Sequence, residues 1–389
     1  MRLLMITGLG SVRDLASEKR GAFYNTLEEF HKYWERIDII APKIKGRTGV
    51  KNIFDNVYVH ISPWPLILHP IWFLKKGLEI YKEQKFDLMT VQEFPPFYNG
   101  IGARLLWHKI RVPYVLEIHH IPGYPKAADI KEKIYRILMR LFIKFDSQKA
   151  KAVRVVNQNQ TPGFLIESGV PKEKIVYIPS TYIDLDIFKP MNLPKEYDLI
   201  FVGRLEKNKG INLLLETLDI LSTTYNLQPT TLIVGDGSLS DNLKLKAKSY
   251  KLQAKFFGWA KDQKEIAELL NKSKILVMPS YNEGGPRVVV EALACGVPIL
   301  ATSVGIVPDL LKNKPDGWTG GRGGEIIDWK VDNMAQKIRG LLNDSVRYRK
   351  YSQDGPEIAK QFEKKAAIKN YVDKLKQQAR PVQVLPVRL

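Results

Sequence analysis

The sequence lacks what a disulfide framework or a cysteine-based zinc site needs. Its 389 residues include one cysteine, Cys295, which can form neither an intramolecular disulfide nor a site of several thiolates. Long apolar runs are also lacking. The longest covers residues 64–74 and contains two prolines, whereas a membrane-spanning helix needs about 20 apolar residues. We therefore expect neither a disulfide-stapled scaffold nor a transmembrane protein.

The first residues lack the pattern of a secretory signal, because the apolar stretch at 3–6 is only strand-length and no small-residue cleavage site follows it. We therefore expect a soluble, cytoplasmic protein. The composition, 44% hydrophobic and 26% charged, is typical of globular chains and excludes intrinsic disorder and collagen-like repeats. At roughly 100–200 residues per domain, the length predicts two domains.

Acidic residues are too few to balance the basic ones. Lysine and arginine number 60 against 41 aspartates and glutamates, which leaves a formal net charge of +19. Such a charge attracts nucleic acid, anionic lipid or phosphorylated small molecules. No helix-turn-helix, zinc-finger or RNP pattern is present, so nucleic acid is not expected as a partner. Composition does not choose between the other two classes.

Short apolar runs alternate with helix-length segments along the whole chain, a pattern typical of βαβ units and of parallel sheets covered on both faces. The predicted strands are 2–7, 37–40, 88–91, 114–118, 152–156, 175–178, 199–203, 231–234, 255–257, 275–278 and 299–301. The chain is therefore predicted to be α/β, with two doubly wound Rossmann-like domains.

The predicted domain boundary is the proline-bearing segment 189–194, which interrupts the pattern. Residues 1–188 are assigned to an N-terminal domain and residues 189–359 to a C-terminal domain. A charged helical stretch is predicted at about 356–377, and its part at 360–378 is expected to run back to the N-terminal domain. Residues 379–389 are predicted to form a poorly ordered, flexible tail.

Ligands of open parallel sheets bind outside the carboxyl ends of the strands, so the segments that follow strands carry the candidate residues. The first, 203–210, joins a predicted strand to a helix beginning near Ile211. Arg204 offers a planar guanidinium that can donate two hydrogen bonds to a phosphate. Lys209 stands at the positive end of the helix dipole, where a cation is unfavourable unless an anion binds there. We interpret Arg204 and Lys209, but not Lys207, as a diphosphate site; a solvated basic loop is the alternative.

The second segment, 280–298, contains Glu283, the pair Gly284 and Gly285, and a predicted helix that carries Glu291 about two turns in. Pro286 fits the first position of that helix. The glycines allow close backbone approach to a ligand. Glu291 needs a partner because its neighbours are apolar, whereas Glu283 has the alternative of an exposed loop acid. Carboxylates accept hydrogen bonds from hydroxyls, and the free N–H groups of a helix N-terminus donate to phosphate, so the two together meet the needs of a sugar nucleotide.

At these two segments the sequence resembles the retaining glycosyltransferases of family 4. The motifs are Gly-Arg-Leu-(x)3-Lys-Gly at 203–210 and Glu-Gly-(x)6-Glu-Ala-Leu-Ala-Cys-Gly-Val-Pro at 283–298. Residues 112–119 are similar to the family's strand that ends in a functional histidine, here His119, and residues 234–237 to its glycine turn. The match is continuous over roughly 100–330. The resemblance implies a GT-B fold, in which two Rossmann-like domains face each other across a cleft.

The resemblance also implies roles for single residues. Arg204 and Lys209 neutralise the diphosphate of a nucleoside-diphosphate sugar, and Glu291 holds the ribose hydroxyls. Glu283 contacts the transferred sugar, and His119 lies across the cleft near that sugar. Further donor-binding residues are Gly284, Gly285, Arg287, Val288, Gly235 and Gly21, the last in a glycine loop placed at 21–23 rather than at 8–10. The implied activity is hexosyl transfer with retention to a glycan, lipid-linked or small-molecule acceptor on the N-terminal domain.

Neither a metal ion nor a cofactor is expected besides the nucleotide sugar, which is a co-substrate. The Asp184-Leu185-Asp186 triplet has the form of a cation-binding motif, but its position between the domains favours a structural turn. The alternative function is a nucleotide-sugar-binding protein without transfer activity. The presence of His119, Glu283, Arg204 and Lys209 argues against that alternative.

Residues 131–149 are predicted to form a basic amphipathic helix. Lys133, Arg136, Arg140 and Lys144 fall on one stripe, and apolar residues recur at 134, 137, 138, 141, 142 and 145. One interpretation is docking on an anionic membrane surface, at the inner face, which suits a lipid-linked acceptor. The other, which the sequence favours, is an ordinary domain helix with its apolar side in the core.

Overall fold

The computed structural model of the protein describes residues 1–8, 12, 15, 21–311 and 323–379. Residues 9 and 10 of the rejected glycine loop lie outside this range, as does the predicted tail from residue 380 onwards. Ala379, with which that tail was expected to begin, is the last residue of a helix.

The first sheet has eight strands. They are β1 (Arg2–Ile6), β2 (Arg36–Ala41), β3 (Gly49–Ile53), β4 (Val57–Ile61), β5 (Leu88–Gln92), β6 (Tyr114–Ile118), β7 (Ala152–Val155) and β8 (Ile175–Tyr177). Their spatial order is β3-β4-β2-β1-β5-β6-β7-β8, and all neighbours run parallel except β3 and β4. The carboxyl ends of the parallel strands therefore share one edge.

Helices cover both faces of the first sheet. They include α1 (Ala22–Phe30), α2 (His69–Glu83), α3 (Tyr98–Ile110), α4 (Ile130–Ser147) and α5 (Gln160–Glu167). Side chains of β1 alternate between the faces, as the pleat of a strand requires. Leu3 and Met5 pack in the core that holds Leu27 of α1, whereas Leu4 and Ile6 pack in the core that holds Phe73 of α2.

The second sheet has six parallel strands. They are β9 (Tyr197–Val202), β10 (Thr231–Val234), β11 (Ala254–Gly258), β12 (Ser273–Met278), β13 (Ile299–Thr302) and β14 (Gly324–Ile327). The spatial order β11-β10-β9-β12-β13-β14 reverses direction between β9 and β12. In a doubly wound sheet such a reversal opens a crevice at the carboxyl ends of the two strands.

We call the first sheet with its helices the first unit, and the second sheet with its helices the second unit. The helices of the second unit also lie on both faces of its sheet, over two separate cores. They are α6 (Ile211–Tyr225), α7 (Ser240–Ser249), α8 (Gln263–Asn271), α9 (Arg287–Ala294), α10 (Val307–Leu311), α11 (Val331–Leu342) and α12 (Ser345–Ala359). Both sheets thus have the doubly wound α/β architecture predicted from the sequence.

The last helix, α13 (Lys364–Ala379), returns to the first sheet. Its buried residues Ile368, Val372 and Leu375 belong to the same core as β1 and α1. The chain passes between the two sheets twice, once between β8 and β9 and once after α12. Backbone hydrogen bonds connect these two passages. Ile183 N donates to Phe362 O, and Lys364 N donates to Ile183 O, both at 2.9 Å.

Some predicted elements were wrong or missing. The charged stretch 356–377 is not one helix, because α12 ends at Ala359 and a 3-10 turn (Lys360–Phe362) precedes α13. The strands β3, β4 and β14 were not predicted. β3 pairs on one side only, with β4, and its residues are exposed or half-buried, so it lacks the continuous apolar run of an interior strand.

The favoured interpretation of the basic amphipathic helix was also wrong. In α4 the side chains of Met139 and Ile143 enter the core, but Ile134, Ile137, Leu141 and Phe145 are exposed. Only Leu138 and Phe142 of the predicted apolar side pack against the core. Arg136 leaves the predicted basic stripe, since its Nη1 donates to the carbonyl oxygen of Gly123 at 2.9 Å.

Candidate active site

The two motif segments meet because the strands before them are neighbours. Segment 203–210 follows β9, and segment 280–285 follows β12 at the reversal of the strand order. Lys209 Nζ lies 2.5 Å from Glu283 Oε1, which also accepts a hydrogen bond from Ser280 Oγ at 3.0 Å. The turn at Gly210 has φ +68°, and a Cβ there would overlap with the carbonyl of Pro279. Glycine therefore brings the lysine loop against the end of β12.

A cavity of about 830 Å³ opens at the same edge of the second sheet. It is lined by Gly203 and Gly235 beyond β9 and β10, by Arg287 and Glu291 of α9, and by Gly21 of the first unit. Its volume falls in the range of about 300–1,000 Å³ that is typical of small-molecule sites. The predicted donor-site residues Gly21, Gly235, Arg287 and Glu291 thus face one space between the two units.

Glu291 and Arg287 form an ion pair on the first turn of α9, with Arg287 Nε 2.8 Å from Glu291 Oε1. Burial raises the pKa of Glu291, and the guanidinium of Arg287 opposes that shift. Because α9 begins at Arg287, Glu291 lies about one turn into the helix rather than the predicted two. Pro286 precedes the first helical residue as the N-cap, so it is not at the first helical position.

His119 stands on the other side, directly after β6. It lines a second cavity of about 190 Å³ together with Tyr182 and Tyr371. Its Nε2 lies 3.7 Å from Glu117 Oε2. The two side chains are two residues apart on one extended segment and therefore point to the same face of the sheet. Glu117 is thus a carboxylate that lies beside the imidazole of His119.

Glu117 belongs to a buried charge network. Arg154 Nη1 donates to Glu117 Oε1 at 2.7 Å, and the hydroxyl of Tyr371 on α13 donates to the same oxygen. Arg154 also donates to the carbonyls of Ile178 and Pro179. Burial by itself would raise the pKa of Glu117, but Arg154 and the neighbouring donors hold it at about 2. The carboxylate is therefore charged throughout the neutral range.

The loop that carries Glu283 touches the first unit. A Cβ at Gly284 would overlap with the carbonyl oxygen of His119, so glycine is required for this approach. Asn282 Oδ1 lies 2.8 Å from His120 Nε2, and Asn282 Nδ2 donates to the carbonyl of Lys126 at 3.0 Å. The segments that carry His119 and Glu283 are thereby held together across the cleft.

Two family models match the chain. The model described as glycosyl transferases group 1 matches residues 184–358, and the model described as glycosyltransferase family 4 matches residues 23–182. The two ranges adjoin and together run from α1 to α12.

The chain belongs to the glycosyltransferases of group 1. This confirms the family resemblance found in the sequence, and it makes the protein an enzyme that transfers a sugar.

Curated relatives of this glycosyltransferase include bacterial and archaeal proteins. The GalNAc-alpha-(1->4)-GalNAc-alpha-(1->3)-diNAcBac-PP-undecaprenol alpha-1,4-N-acetyl-D-galactosaminyltransferase of Campylobacter jejuni is 27% identical over 80% of this chain and 78% of its own length. The putative teichuronic acid biosynthesis glycosyltransferase TuaC of Bacillus subtilis is 35% identical over 54% of this chain and 52% of its own length.

Solved structures share the whole fold. Sucrose-phosphate synthase from Thermosynechococcus elongatus has a TM-score of 0.77 at 18% identity, covering 97% of this chain and 98% of that one. Anabaena HepE in complex with UDP and glucose has a TM-score of 0.71 at 18% identity, covering 97% and 99%. These likenesses confirm the predicted GT-B fold.

The other predicted residues of the glycosyltransferase have varied surroundings. Arg204 is exposed after β9 and takes no part in the Lys209–Glu283 pair. Gly285 O accepts a hydrogen bond from Thr181 Oγ1 at 3.3 Å, and Val288 packs partly against the core beneath α9. Gly235, at φ +129°, has no room for a Cβ beside the carbonyl of Gly203.

Sequence reasoning missed the network around Glu117. From the sequence, Glu117 is predicted only as part of the strand at 114–118, and Arg154 and Tyr371 have no predicted role. Charged residues within apolar strands, such as Glu117 in β6 and Arg154 in β7, are a signal, because each needs a buried partner. The contribution of Tyr371 had no such signal, since it comes from α13, 254 positions away from Glu117.

The Asp184–Asp186 triplet forms a turn in which Asp186 N donates to Asp184 Oδ1 at 2.9 Å. Within residues 1–8, 12, 15, 21–311 and 323–379, no three side chains of histidine, cysteine, aspartate or glutamate are grouped to hold a metal ion.

Cys295 is buried at the end of α9, and burial raises the pKa of its thiol to about 12. Among the described helices, none is both long and apolar enough to cross a bilayer.

Proposed function

We propose that this enzyme transfers a hexosyl group, with retention and without a metal ion, from a nucleoside-diphosphate sugar to a glycan or lipid-linked acceptor. One observation carries the proposal. Arg287 and Glu291 of the second unit and Gly21 of the first unit line the same cavity of about 830 Å³. A cavity of that size, with a carboxylate and a guanidinium on its wall, suits a nucleotide sugar.

In this proposal, the nucleoside lies against α9. The Glu291 carboxylate accepts hydrogen bonds from the ribose hydroxyls, and Arg287, its ion-pair partner, opposes the effect of burial on the pKa of that carboxylate. Gly203 and Gly235 at the carboxyl ends of β9 and β10 leave room for the ligand. Gly284, Gly285 and Val288 complete the donor site through their backbone groups at the start of α9.

Arg204 and Lys209 hold the diphosphate. When the bond between the anomeric carbon and the phosphate oxygen breaks, negative charge grows on the leaving diphosphate. Fixed cations and a helix N-terminus stabilise that charge without having to reorganise. Because these groups supply the positive charge, the proposal requires no divalent cation.

His119 and Glu283 act at the transferred sugar. The segments that carry them are in contact, since Gly284 packs on the carbonyl of His119. The acceptor lies on the side of the first unit. A hydroxyl of the acceptor forms the new bond to the anomeric carbon, and its proton passes to the leaving diphosphate.

Two relatives support the classes of donor and acceptor. HepE was solved with UDP and glucose, and the Campylobacter transferase is named for a PP-undecaprenol substrate. The proposal accordingly includes a nucleotide-sugar donor, a role in polysaccharide or glycolipid synthesis, and a cytoplasmic enzyme at the inner face of a membrane.

The test is a panel of nucleoside-diphosphate sugars with purified protein. Thermal stabilisation identifies the donor, and release of nucleoside diphosphate measures turnover. The anomeric configuration of the product, read by NMR, distinguishes retention from inversion. Stabilisation without any release would instead support the alternative, a nucleotide-sugar-binding protein that lacks transfer activity.

A further inference from the structure

Helix α4 leaves an apolar stripe uncovered. Five of its side chains are between 44% and 74% exposed: Ile130, Ile134, Ile137, Leu141 and Phe145. Their spacing of three or four residues places them on one face of the helix, while Met139 and Ile143 fill the core from another face. We call these five residues the α4 stripe. Single exposed apolar residues are ordinary, but a contiguous patch marks an interaction surface.

Basic residues border the α4 stripe on both sides. At about 100° per residue, Lys133, Arg140 and Lys144 fall along one flank of the helix, and Lys131 falls along the other. Lys149 lies just beyond the end of α4. All five are exposed. A helix with an apolar face between lysines and arginines has the character of one that lies in the interface of a bilayer.

The acidic residues of α4 do not interrupt this pattern. Asp146 is buried. Glu132 turns toward the cleft, where its Oε2 accepts hydrogen bonds from Ala128 N at 2.7 Å and from Asn282 Nδ2 at 2.8 Å. The charges that α4 itself places beside the stripe are therefore basic, which suits an anionic surface and opposes a second copy of the same stripe.

One of these basic residues, Arg140, is paired with an exposed carboxylate of α5, since its Nη2 lies 3.4 Å from Glu167 Oε2. The attraction to an anionic surface therefore rests on Lys131, Lys133 and Lys144.

We infer that the α4 stripe docks the enzyme on an anionic lipid bilayer. The apolar side chains enter the boundary between headgroups and acyl chains, and the flanking cations bind anionic headgroups.

The position of α4 links docking to the active site. Glu132, on its first turn, is hydrogen-bonded to Asn282, the residue before Glu283. A bilayer in contact with α4 therefore lies beside the cleft. If the enzyme acts on a lipid-linked acceptor, docking brings that acceptor to the cleft; this consequence rests on the proposed function, whereas docking itself does not.

The experiment measures sedimentation of the purified full chain with vesicles. One set contains equal parts of phosphatidylglycerol and phosphatidylcholine, and the other contains phosphatidylcholine alone. Binding is expected to the anionic set and at least ~10-fold weaker to the neutral set. Salt should weaken it, because the Debye length falls from about 30 Å at 0.01 M to about 3 Å at 1 M.

Two pairs of variants separate the stripe from the general positive charge. Ile137→Ser with Leu141→Ser removes apolar contact, and its control is Leu245→Ser with Val346→Ser, at exposed positions of the second unit. Lys133→Glu with Lys144→Glu reverses flanking charge, and its control is Lys244→Glu with Lys248→Glu. Each α4 variant should bind at least ~10-fold more weakly than its control. Thermal unfolding checks that every variant is folded.

Three results would overturn the inference: no binding of the parent protein to anionic vesicles, equal loss in the α4 variants and their controls, or self-association of the parent that the serine variants abolish in place of vesicle binding. The last would make the stripe a dimer interface.

Donor binding and donor hydrolysis, measured without vesicles, should be unchanged in all variants. A parent protein that binds vesicles but never turns over a donor would sink the proposed function and leave the docking inference standing.

Discussion

Lys209 and Glu283, 74 positions apart in the sequence, form an ion pair with Nζ and Oε1 2.5 Å apart. Both side chains are partly buried, at 18% and 14% exposure. The cation proposed to hold the donor diphosphate is therefore already partnered. A diphosphate that binds to Lys209 has to compete with the carboxylate proposed to contact the sugar.

Removing the proposed diphosphate cations should slow the reaction. Lys209→Ala and Arg204→Ala should each lower turnover by ~10²-fold or more, the scale for losing a preorganised group that stabilises charge in the transition state. Lys207→Ala is the matched control in the same loop, because Lys207 is exposed, and it should change turnover little. Near-normal activity of the Lys209 and Arg204 variants would contradict the proposed roles.

Neutralising Glu283 should separate binding from turnover. Glu283→Gln keeps the shape of the side chain but frees Lys209 from its carboxylate partner, so the nucleoside diphosphate product should bind more tightly, by roughly 10-fold if about 1.4 kcal/mol of competition is relieved. Turnover should fall, because the proposed contact with the sugar changes. Calorimetric titration and initial rates measure the two effects. Weaker product binding in this variant would show that Glu283 does not compete for Lys209.

Glu117 is expected to stabilise the fold and to orient His119. Glu117→Gln leaves Arg154, which is 1% exposed, without its carboxylate. Loss of one member of a buried ion pair costs about 3–5 kcal/mol. Tyr371→Phe removes one hydrogen bond to the same carboxylate and should cost about 1.5–3 kcal/mol. Urea unfolding measures both. If His119 depends on the network, kcat should also fall in the milder Tyr371 variant; an unchanged kcat would leave Glu117 with a structural role alone.

Chelation should leave the enzyme active. The proposed positive charge at the diphosphate comes from Arg204, Lys209 and a helix N-terminus, and the Asp184–Asp186 triplet is used for a turn. We expect full turnover in EDTA and in the Asp186→Ala variant. Loss of turnover on chelation, with recovery in Mg²⁺ or Mn²⁺, would contradict the metal-independent proposal.

A buried pair of carboxyls should make stability fall as the pH rises. Glu93 and Asp146 are both buried beneath Gly100. Burial raises the pKa of Asp146 to about 7, and burial and Asp146 together raise the pKa of Glu93. The folded state thus binds protons more tightly than the unfolded state, and the bound protons stabilise it. Their contribution to the free energy of unfolding is complete below about pH 4 and is lost as the pH rises through 7.

Asp146→Asn should reduce that pH dependence and raise the free energy of unfolding at pH 8 by on the order of 2 kcal/mol. Urea unfolding at pH 5 and pH 8 is the measurement. The control is Asp241→Asn, at a side chain that is 96% exposed, which should have no such effect. An equal slope with pH in the parent and the Asp146 variant would show that the pair does not hold its proton.

Most interior strands were predictable because each is buried on both faces and therefore reads as a short, continuous apolar run. β6 at Tyr114–Ile118 and β10 at Thr231–Val234 have the predicted bounds. β3 was not predictable in this way, since an edge strand with half-exposed residues carries no such run. The motif segments were found because glycine, lysine and glutamate stand at fixed positions just after strands.

The sequence by itself determined the α/β class, the family and the segments after β9 and β12, because these depend on local pattern and spacing. Only the tertiary structure decided which residues meet. The Lys209–Glu283 pair arises from two strands that are adjacent in the sheet, and the contact of Tyr371 with Glu117 from a helix that returns across the molecule. The side chains of the α4 stripe are exposed for a similar reason. Helical spacing shows which residues share a face, but what packs against that face is set by the positions of neighbouring helices, which local sequence does not encode.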